Sequence, residues 1–408
     1  FYTTLSHRTS MTESASFFGV PDPIFKDKEI LRISHLPAGD RIIGRDEELR
    51  SLADAIKDAQ HGGTPNNVLI YGKTGTGKSL CSKYITRDLT TVAADNDITV
   101  GVAYIDCFQE STETQTVRAI ATALNDPDLT DVTIPHAGVS TSSYYQRLWD
   151  IIDSRLDVAI VILDEIDKLQ DDNVLMQLSR ATESGKLDQS TLGVIGISNK
   201  IRYRDSLNER VKSSLSEREL VFPPYDATQL RAILTSRTDA FREDVLTNAV
   251  IPKVAALAAK EHGDARKAID ILRYAGEIAD EHDDTEVTVE YVDEAHDREE
   301  HAQLRELIAN QPEHSKYLLQ ALALRAQEEA TAEADIPTKR VYSAYEIVCK
   351  REGIDSLRPR RVRDLLSELA FLSVIDQNRK GRGKGQGAHT VNRLVDDPAL
   401  VIEACQSA

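Results

Sequence analysis

The chain has 408 residues, of which 41% are hydrophobic and 28% charged, and its formal net charge is −18. That length suits two or three domains, each able to bury its own core, and no stretch approaches the ~18 unbroken apolar residues of a membrane span. The acidic balance argues against a nucleic-acid surface spread over the whole molecule, because phosphate binding needs positive charge, so any such surface must be local. The four cysteines, Cys81, Cys107, Cys349 and Cys405, fall at no metal-ligand or disulfide spacing and read as free thiols of an intracellular, cytoplasmic protein. The first residues, Phe1-Tyr2-Thr3-Thr4, have no charged-then-apolar signal pattern and no Met, which leaves room for residues upstream. Acidity with arginine well ahead of lysine suits a halophile's cytoplasm; an acidic mesophilic protein is the alternative.

Residues 1–20 are polar and read as a mobile tail. A loop over 30–45 leads into a helix from Asp46 to Ala59 with Leu49, Leu52 and Ile56 on one face. After the break at His61-Gly62-Gly63, the apolar run Val68-Leu69-Ile70-Tyr71 enters Gly72-Lys73-Thr74-Gly75-Thr76-Gly77-Lys78-Ser79, and helical spacing follows from Leu80 to Leu89. Strand, glycine-rich turn and helix in that order form a P-loop. Its glycines let backbone N–H groups of Gly72, Thr74, Gly75, Thr76 and Gly77 converge on phosphate oxygens, which a Cβ would obstruct. Lys78 can then reach the β- and γ-phosphates of ATP, and Ser79 can offer its hydroxyl to Mg²⁺.

A second strand is predicted over 99–106. A third, Val158 to Leu163, ends in Asp164-Glu165, about 85 residues after the P-loop. An apolar strand delivering two carboxylates is the Walker B arrangement: Asp164 holds the metal through water, and Glu165 polarises the attacking water. A fourth strand over 193–198 ends at Asn199, whose amide can orient that water. A fifth, 219–222, runs into Pro223-Pro224-Tyr225, a stiff hinge. Strands alternating with helices imply a parallel sheet between helical layers.

Residues from 226 to about 300 read as all-helical, over 229–241, 249–261, 265–280 and 289–305. The C-terminal region reads as helices over 315–330, 343–351 and 359–371, with Ile336-Pro337-Thr338 breaking between the first two. Two strands then flank a glycine-basic hairpin, Arg379-Lys380-Gly381-Arg382-Gly383-Lys384. From Arg358 to Arg393 nine lysines and arginines meet only Asp364, Glu368 and Asp376. Arg358, Arg360, Arg361 and Arg363 open the candidate recognition helix of a winged helix-turn-helix, the end that enters a major groove. The hairpin residues Arg379, Lys380, Arg382 and Lys384 can approach phosphates or the minor groove. Winged domains also serve protein contacts, so both uses stay open.

The segment Leu207-Asn208-Glu209-Arg210-Val211-Lys212-Ser213-Ser214-Leu215 resembles AAA+ ATPases, in which an arginine at this place reaches into a neighbour's nucleotide site. Arg210 is the first candidate and Arg218 the second. Gly263-Asp264-Ala265-Arg266 resembles the second sensor helix of AAA+ lids, which implies Arg266 over the γ-phosphate and Asp264 as helix cap. P-loop, Walker B, lid arginine and winged helix in this order look like the archaeal origin-recognition initiators, the Orc/Cdc family of AAA+ ATPases. The resemblance spans roughly residues 20–400. It also rests on Phe222-Pro223-Pro224-Tyr225 and Gly381-Arg382-Gly383. It implies nucleotide contacts by Tyr225 and by Arg237 twelve residues on. It further implies a DNA-contacting insertion over Asp131 to Ser140, including Pro135, His136 and Gly138.

The expected fold is therefore an α/β AAA+ P-loop parallel sheet domain (21–225), a helical lid domain (226–308) and a C-terminal winged helix-turn-helix domain (309–408). The expected function is ATP-dependent recognition of double-stranded origin DNA and help in loading a replicative helicase. ATP/ADP and Mg²⁺ are the cofactors, hydrolysis is slow, other initiator subunits are possible partners, and the protein is associated with the nucleoid rather than a membrane. A P-loop regulator of transcription or signalling, or a clamp-loader-like remodeller, are the other classes open to such a chain.

Overall fold

The strand Val158–Asp164 carries no polar side chain before its last residue, and all seven of its residues are buried. Such a run fits only the interior of a sheet covered on both faces. In the computed structural model of the chain it lies there. The sheet is built of β1 (Val68–Gly72), β2 (Val100–Asp106), β3 (Val158–Asp164), β4 (Thr191–Ser198) and β5 (Arg218–Phe222). Their order is β2-β3-β4-β1-β5 and every pairing is parallel. The structure describes residues 22–32, 35, 37, 39–200, 203–215, 218–329, 335–372, 374–380 and 389–407. The expected tail over 1–20 lies outside them, as does the hairpin tip with Arg382 and Lys384.

The two faces of the sheet alternate residue by residue, as strand geometry requires. Leu69, Tyr71, Ala159, Val161 and Leu163 pack with the helices Glu113–Leu124 and Thr141–Arg155. Val68, Ile70, Ile160 and Ile162 pack with Asp46–Ile56 and the P-loop helix Lys78–Asp95. Each fully buried aliphatic side chain of this kind contributes about 1.5–3 kcal/mol. The register sets Asp106 opposite Asp164 and Tyr71 opposite Ser198. The polar ends of β1 to β4 therefore share one edge, where open parallel sheets bind ligands.

The lid helices Ala227–Thr235, Val250–Lys260 and Ala265–Glu281 belong to the same compact unit, Phe1–Val292. The first of them stops six residues short of the expected end. A 3₁₀ turn, Thr238–Ala240, replaces its last part, because the chain here turns to pair with the N-terminal segment. Lys26 N donates to Ala240 O at 2.8 Å, and the Phe25 and Phe241 rings lie 5.0 Å apart.

The second unit, Asp293–Ala408, is a winged helix. Helices Glu313–Glu328, Thr338–Glu352 and Pro359–Phe371 surround a three-stranded sheet of order β6-β8-β7, with β6 Ile336–Pro337, β7 Ile375–Lys380 and β8 His389–Leu394. The candidate recognition helix has the bounds that the sequence suggests, with Pro359 at its first turn and Val362, Leu365, Leu366 and Leu369 buried. Ile336-Pro337 does more than break the chain. It forms an edge strand against β8, a place that tolerates a residue without N–H. A last helix, Pro398–Ser407, packs on Glu313–Glu328. All four cysteines are free thiols.

Candidate functional site

At the end of β1 the chain turns through Gly75 (φ 67°) and Gly77 (φ 87°), left-handed conformations that glycine adopts at little cost. Neither position has room for a side chain. A Cβ on Gly75 would lie 1.7 Å from the Asp264 carboxylate, and one on Gly77 would lie 2.7 Å from the Tyr225 hydroxyl. Lid and hinge therefore press directly on the loop. Asp264 caps the helix Ala265–Glu281, accepting from Arg266 N at 2.7 Å and Lys267 N at 3.2 Å, and Ala265 N donates to Gly75 O at 3.2 Å.

Lys78 is buried, and its Nζ donates to the carbonyls of Gly72 (2.8 Å) and Lys73 (2.6 Å). Burial pulls its ammonium down to about 8, with Asp164 opposing the shift. Ser79 Oγ donates to Asp164 Oδ2, which also accepts from the Tyr104 hydroxyl at 2.5 Å. Burial first, then that bond to Asp164, pushes the Tyr104 phenol well up, so it remains a donor. Asp164 Oδ1 accepts from Glu165 N at 2.9 Å. Ser79 and Asp164 thus meet in a cluster of hard oxygen donors, a set that fits Mg²⁺.

Glu165 sits in the left-handed region at φ 55°, uncommon for a residue with a side chain. Its Oε1 accepts from Asn199 Nδ2 at 3.1 Å. Burial, and then the Asp164 charge, raises its carboxyl above the ordinary value. A small hollow over the loop is lined by Thr74 to Ser79, Asp164, Glu165, Asn199 and the lid's Arg266. It opens beside a larger cavity of about 1030 Å³ whose wall includes Ile42, Ile43, Ile233 and Ile269 together with Tyr225 and Arg237. Arg237 is buried, donates to Ile30 O at 2.6 Å and is pulled down by desolvation.

Arg210 is brought to neither hollow. It is exposed on the short helix Glu209–Leu215, and Arg218 is exposed at the start of β5. In the winged unit Arg358, Arg360, Arg361, Arg363 and Arg379 are exposed. Arg361 lies 3.4 Å from Glu368, and Arg363 Nε donates to Pro359 O at 3.3 Å. Between the helices Pro127–Thr130 and Thr141–Arg155 runs the suggested insertion. Val132, Ile134 and Val139 fasten it to the core. Tyr144 donates to Pro135 O at 2.7 Å and Arg118 to His136 O at 3.1 Å, while His136 and Gly138 stay exposed.

Arg45 belongs to the site and had no sequence signal. Arg45 is only 1% exposed. It donates to Thr76 O at 2.9 Å and Pro223 O at 2.5 Å, pairs with Glu48 at 3.1 Å, and stacks 3.9 Å from the Tyr225 ring centre. An arginine in a loop before a helix announces none of this. Its partners lie 31 and 178 positions away.

Models of the AAA domain, the Cdc6 AAA+ ATPase-type lid domain and the CDC6 C-terminal winged helix domain match residues 60–197, 231–297 and 306–404. The ORC1-type DNA replication protein 4 of Halobacterium salinarum is 48% identical over 400 residues, 96% of this chain and 97% of that protein. The chain belongs to the archaeal Orc1/Cdc6 family of DNA replication initiators. Orc1/Cdc6 relatives include the ORC1-type DNA replication protein 9 of the halophile Haloarcula marismortui, 44% identical over 93% of this chain and 91% of its own length. The Aeropyrum pernix Orc1 protein, solved in complex with DNA, has a TM-score of 0.82 and 33% identity, over 95% of this chain and 98% of that one. Family membership makes this an AAA+ ATPase fold with lid and winged helix, and among the described residues no helix is long and apolar enough to cross a membrane.

Lys78→Ala is expected to abolish ATP binding in a fluorescent-nucleotide titration, and retained affinity would contradict the loop's role. Glu165→Gln is expected to keep ATP affinity within about threefold while phosphate release falls by at least about 100-fold, the scale of a lost general base. Ordinary turnover would remove Glu165 from the chemistry.

Proposed function

We propose that this protein recognises double-stranded DNA at replication origins in an ATP-controlled way and helps to load a replicative helicase, with slow hydrolysis acting as a switch. The observation that carries the reading is the helix Pro359–Phe371. Four arginines, Arg358, Arg360, Arg361 and Arg363, are exposed at its N-terminal end, while its apolar face is buried. An exposed cationic helix start on a winged unit is the geometry that enters a major groove. The likeness to an Orc1 protein solved with DNA, over nearly the whole chain, supports the same use.

The wing residues Arg379, Lys380, Arg382 and Lys384 would hold phosphates beside the groove. His136 and Gly138, on a loop anchored through Pro135 O and His136 O, would provide a second grip from the AAA+ domain. The net charge of −18 is compatible with this. In about 1 M salt the Debye length is only ~3 Å, so repulsion from distant carboxylates is screened while arginines in contact with phosphate still act. The relatives in Halobacterium and Haloarcula, both halophiles, fit such a medium.

In the nucleotide site, Gly72, Thr74, Gly75, Thr76 and Gly77 would present backbone donors to the phosphates, and Lys78 would exchange its two loop carbonyls for phosphate oxygens. Mg²⁺ held by Ser79 and Asp164 would offset the phosphate charge. Glu165 would accept the proton of the attacking water, and Asn199, already bonded to Glu165, would hold that water in line. Tyr225, Arg237 and the isoleucine wall would take the base and ribose. Arg266, at the tip of the lid helix, would bind a triphosphate and a diphosphate differently, so lid position would follow nucleotide state. Arg210, exposed and outside its own chain's site, suits a contact with the nucleotide of another initiator subunit, a role worth about 10³–10⁵ in rate. The protein would work on the nucleoid.

Arg361→Glu together with Arg363→Glu is expected to weaken binding to duplex DNA by at least tenfold, about 1.4 kcal/mol, and to leave ATP affinity unchanged. Fluorescence anisotropy at molar salt measures both. Equal DNA affinity in the double variant would move the DNA surface away from this helix.

A further inference from the structure

Two further contacts lie at the rim of the nucleotide site. Tyr104 donates its hydroxyl to Asp164 Oδ2, and Lys83 Nζ lies 3.6 Å from the centre of the Tyr104 ring. Three donors therefore fix the Asp164 carboxylate. The Glu165 main-chain N–H holds Oδ1, while the hydroxyls of Ser79 and Tyr104 share Oδ2. Ser79 is itself a candidate ligand, so among the described residues Tyr104 is the side chain left to orient Asp164.

The placement of Tyr104 explains how it reaches. It lies on β2 opposite Ile162, two positions before the Asp106–Asp164 pair, so its long side chain extends along the sheet to the strand end. The ring is half-buried against the core that contains Ile160 and Ile162. Lys83 closes its other face from the P-loop helix, one turn beyond Ser79 and thus on the same side. Packing below and a cation above leave the ring little freedom, and the hydroxyl arrives at Oδ2 along a fixed direction.

We propose that Tyr104 is a positioning residue that fixes the rotation of the Asp164 carboxylate and thereby sets the Mg²⁺ dependence of nucleotide binding. The proposal rests on the reading of Ser79 and Asp164 as the magnesium site. Mg²⁺ demands near-ideal octahedral geometry and keeps several waters. A carboxylate that meets it directly or through water must therefore face it at a set angle. Groups that orient such a ligand typically change metal affinity by about 10–100-fold.

Tyr104→Phe removes one oxygen and keeps the ring, so it separates orientation from packing. The experiment titrates Mg²⁺ into the full chain with a fluorescent ATP analogue and repeats the binding in EDTA, with the melting temperature as a control. The expected result is that Tyr104→Phe needs about tenfold more Mg²⁺ for the half-maximal change, with its metal-free nucleotide affinity and its melting temperature matching the parent. If the parent and the variant follow the same Mg²⁺ curve, Tyr104 does not position Asp164. Equal loss with and without metal would make the tyrosine a structural support only, and would overturn the proposal as well. If the parent's own affinity ignores Mg²⁺, the magnesium reading of Ser79 and Asp164 fails first, and the proposal falls with it.

Discussion

The lid meets the phosphate loop through main chain. Ala265 N donates to Gly75 O, and the Asp264 carboxylate fills the space where a Gly75 side chain would stand. A glycine is thus required twice over at one position, for its left-handed backbone and for the approach of a second domain. Nothing can change at the loop without reaching the first turn of the lid helix, which also presents Arg266. The coupling between nucleotide and domain angle proposed above needs no relay, because loop and lid are in contact from the start.

Arg45 extends the same constraint backwards into the core. A buried guanidinium is tolerated only when its donors are satisfied, and here Thr76 O, Pro223 O and Glu48 satisfy them while the Tyr225 ring covers its face. The loop, the Pro223-Pro224 hinge and the wall of the larger cavity are therefore held by one side chain. Removing one partner of such a group leaves an uncompensated buried charge, which costs about 3–5 kcal/mol. The phosphate loop is thus tied to the core through Arg45 and to the first turn of the lid helix through Ala265.

Much of this was legible in the sequence because the chemistry sits where strands end. Gly72 to Ser79, Asp164-Glu165 and Asn199 each follow an apolar run, and a parallel sheet brings those ends to one edge whatever the strand order. The helix Pro359–Phe371 was legible for a local reason: Pro359 starts it, and Val362, Leu365, Leu366 and Leu369 recur at helical spacing. Arg45 and Tyr104 were not legible, since each acts on a partner tens of residues away in sequence, and only the register of the sheet and the fold of the hinge bring them together. The strand order was equally hidden, because apolar strands buried on both faces carry no mark of their neighbours. β6 is two residues long, too short for any periodicity. Arg210 could be noticed as a residue but not given a use by its own chain, because it lines neither of the two hollows at the nucleotide site.

ATP control of origin binding is the step on which the proposed function turns. The measurement that tests it most directly is sequence-resolved recovery of the host's own genomic DNA on the purified protein, at the host's salt, with ATP and with ADP. The account predicts a few sharp peaks over repeated sites, with recovery that differs between the two nucleotides. Identical recovery with ATP and ADP, a scatter of promoters, or no enrichment with either nucleotide would contradict it.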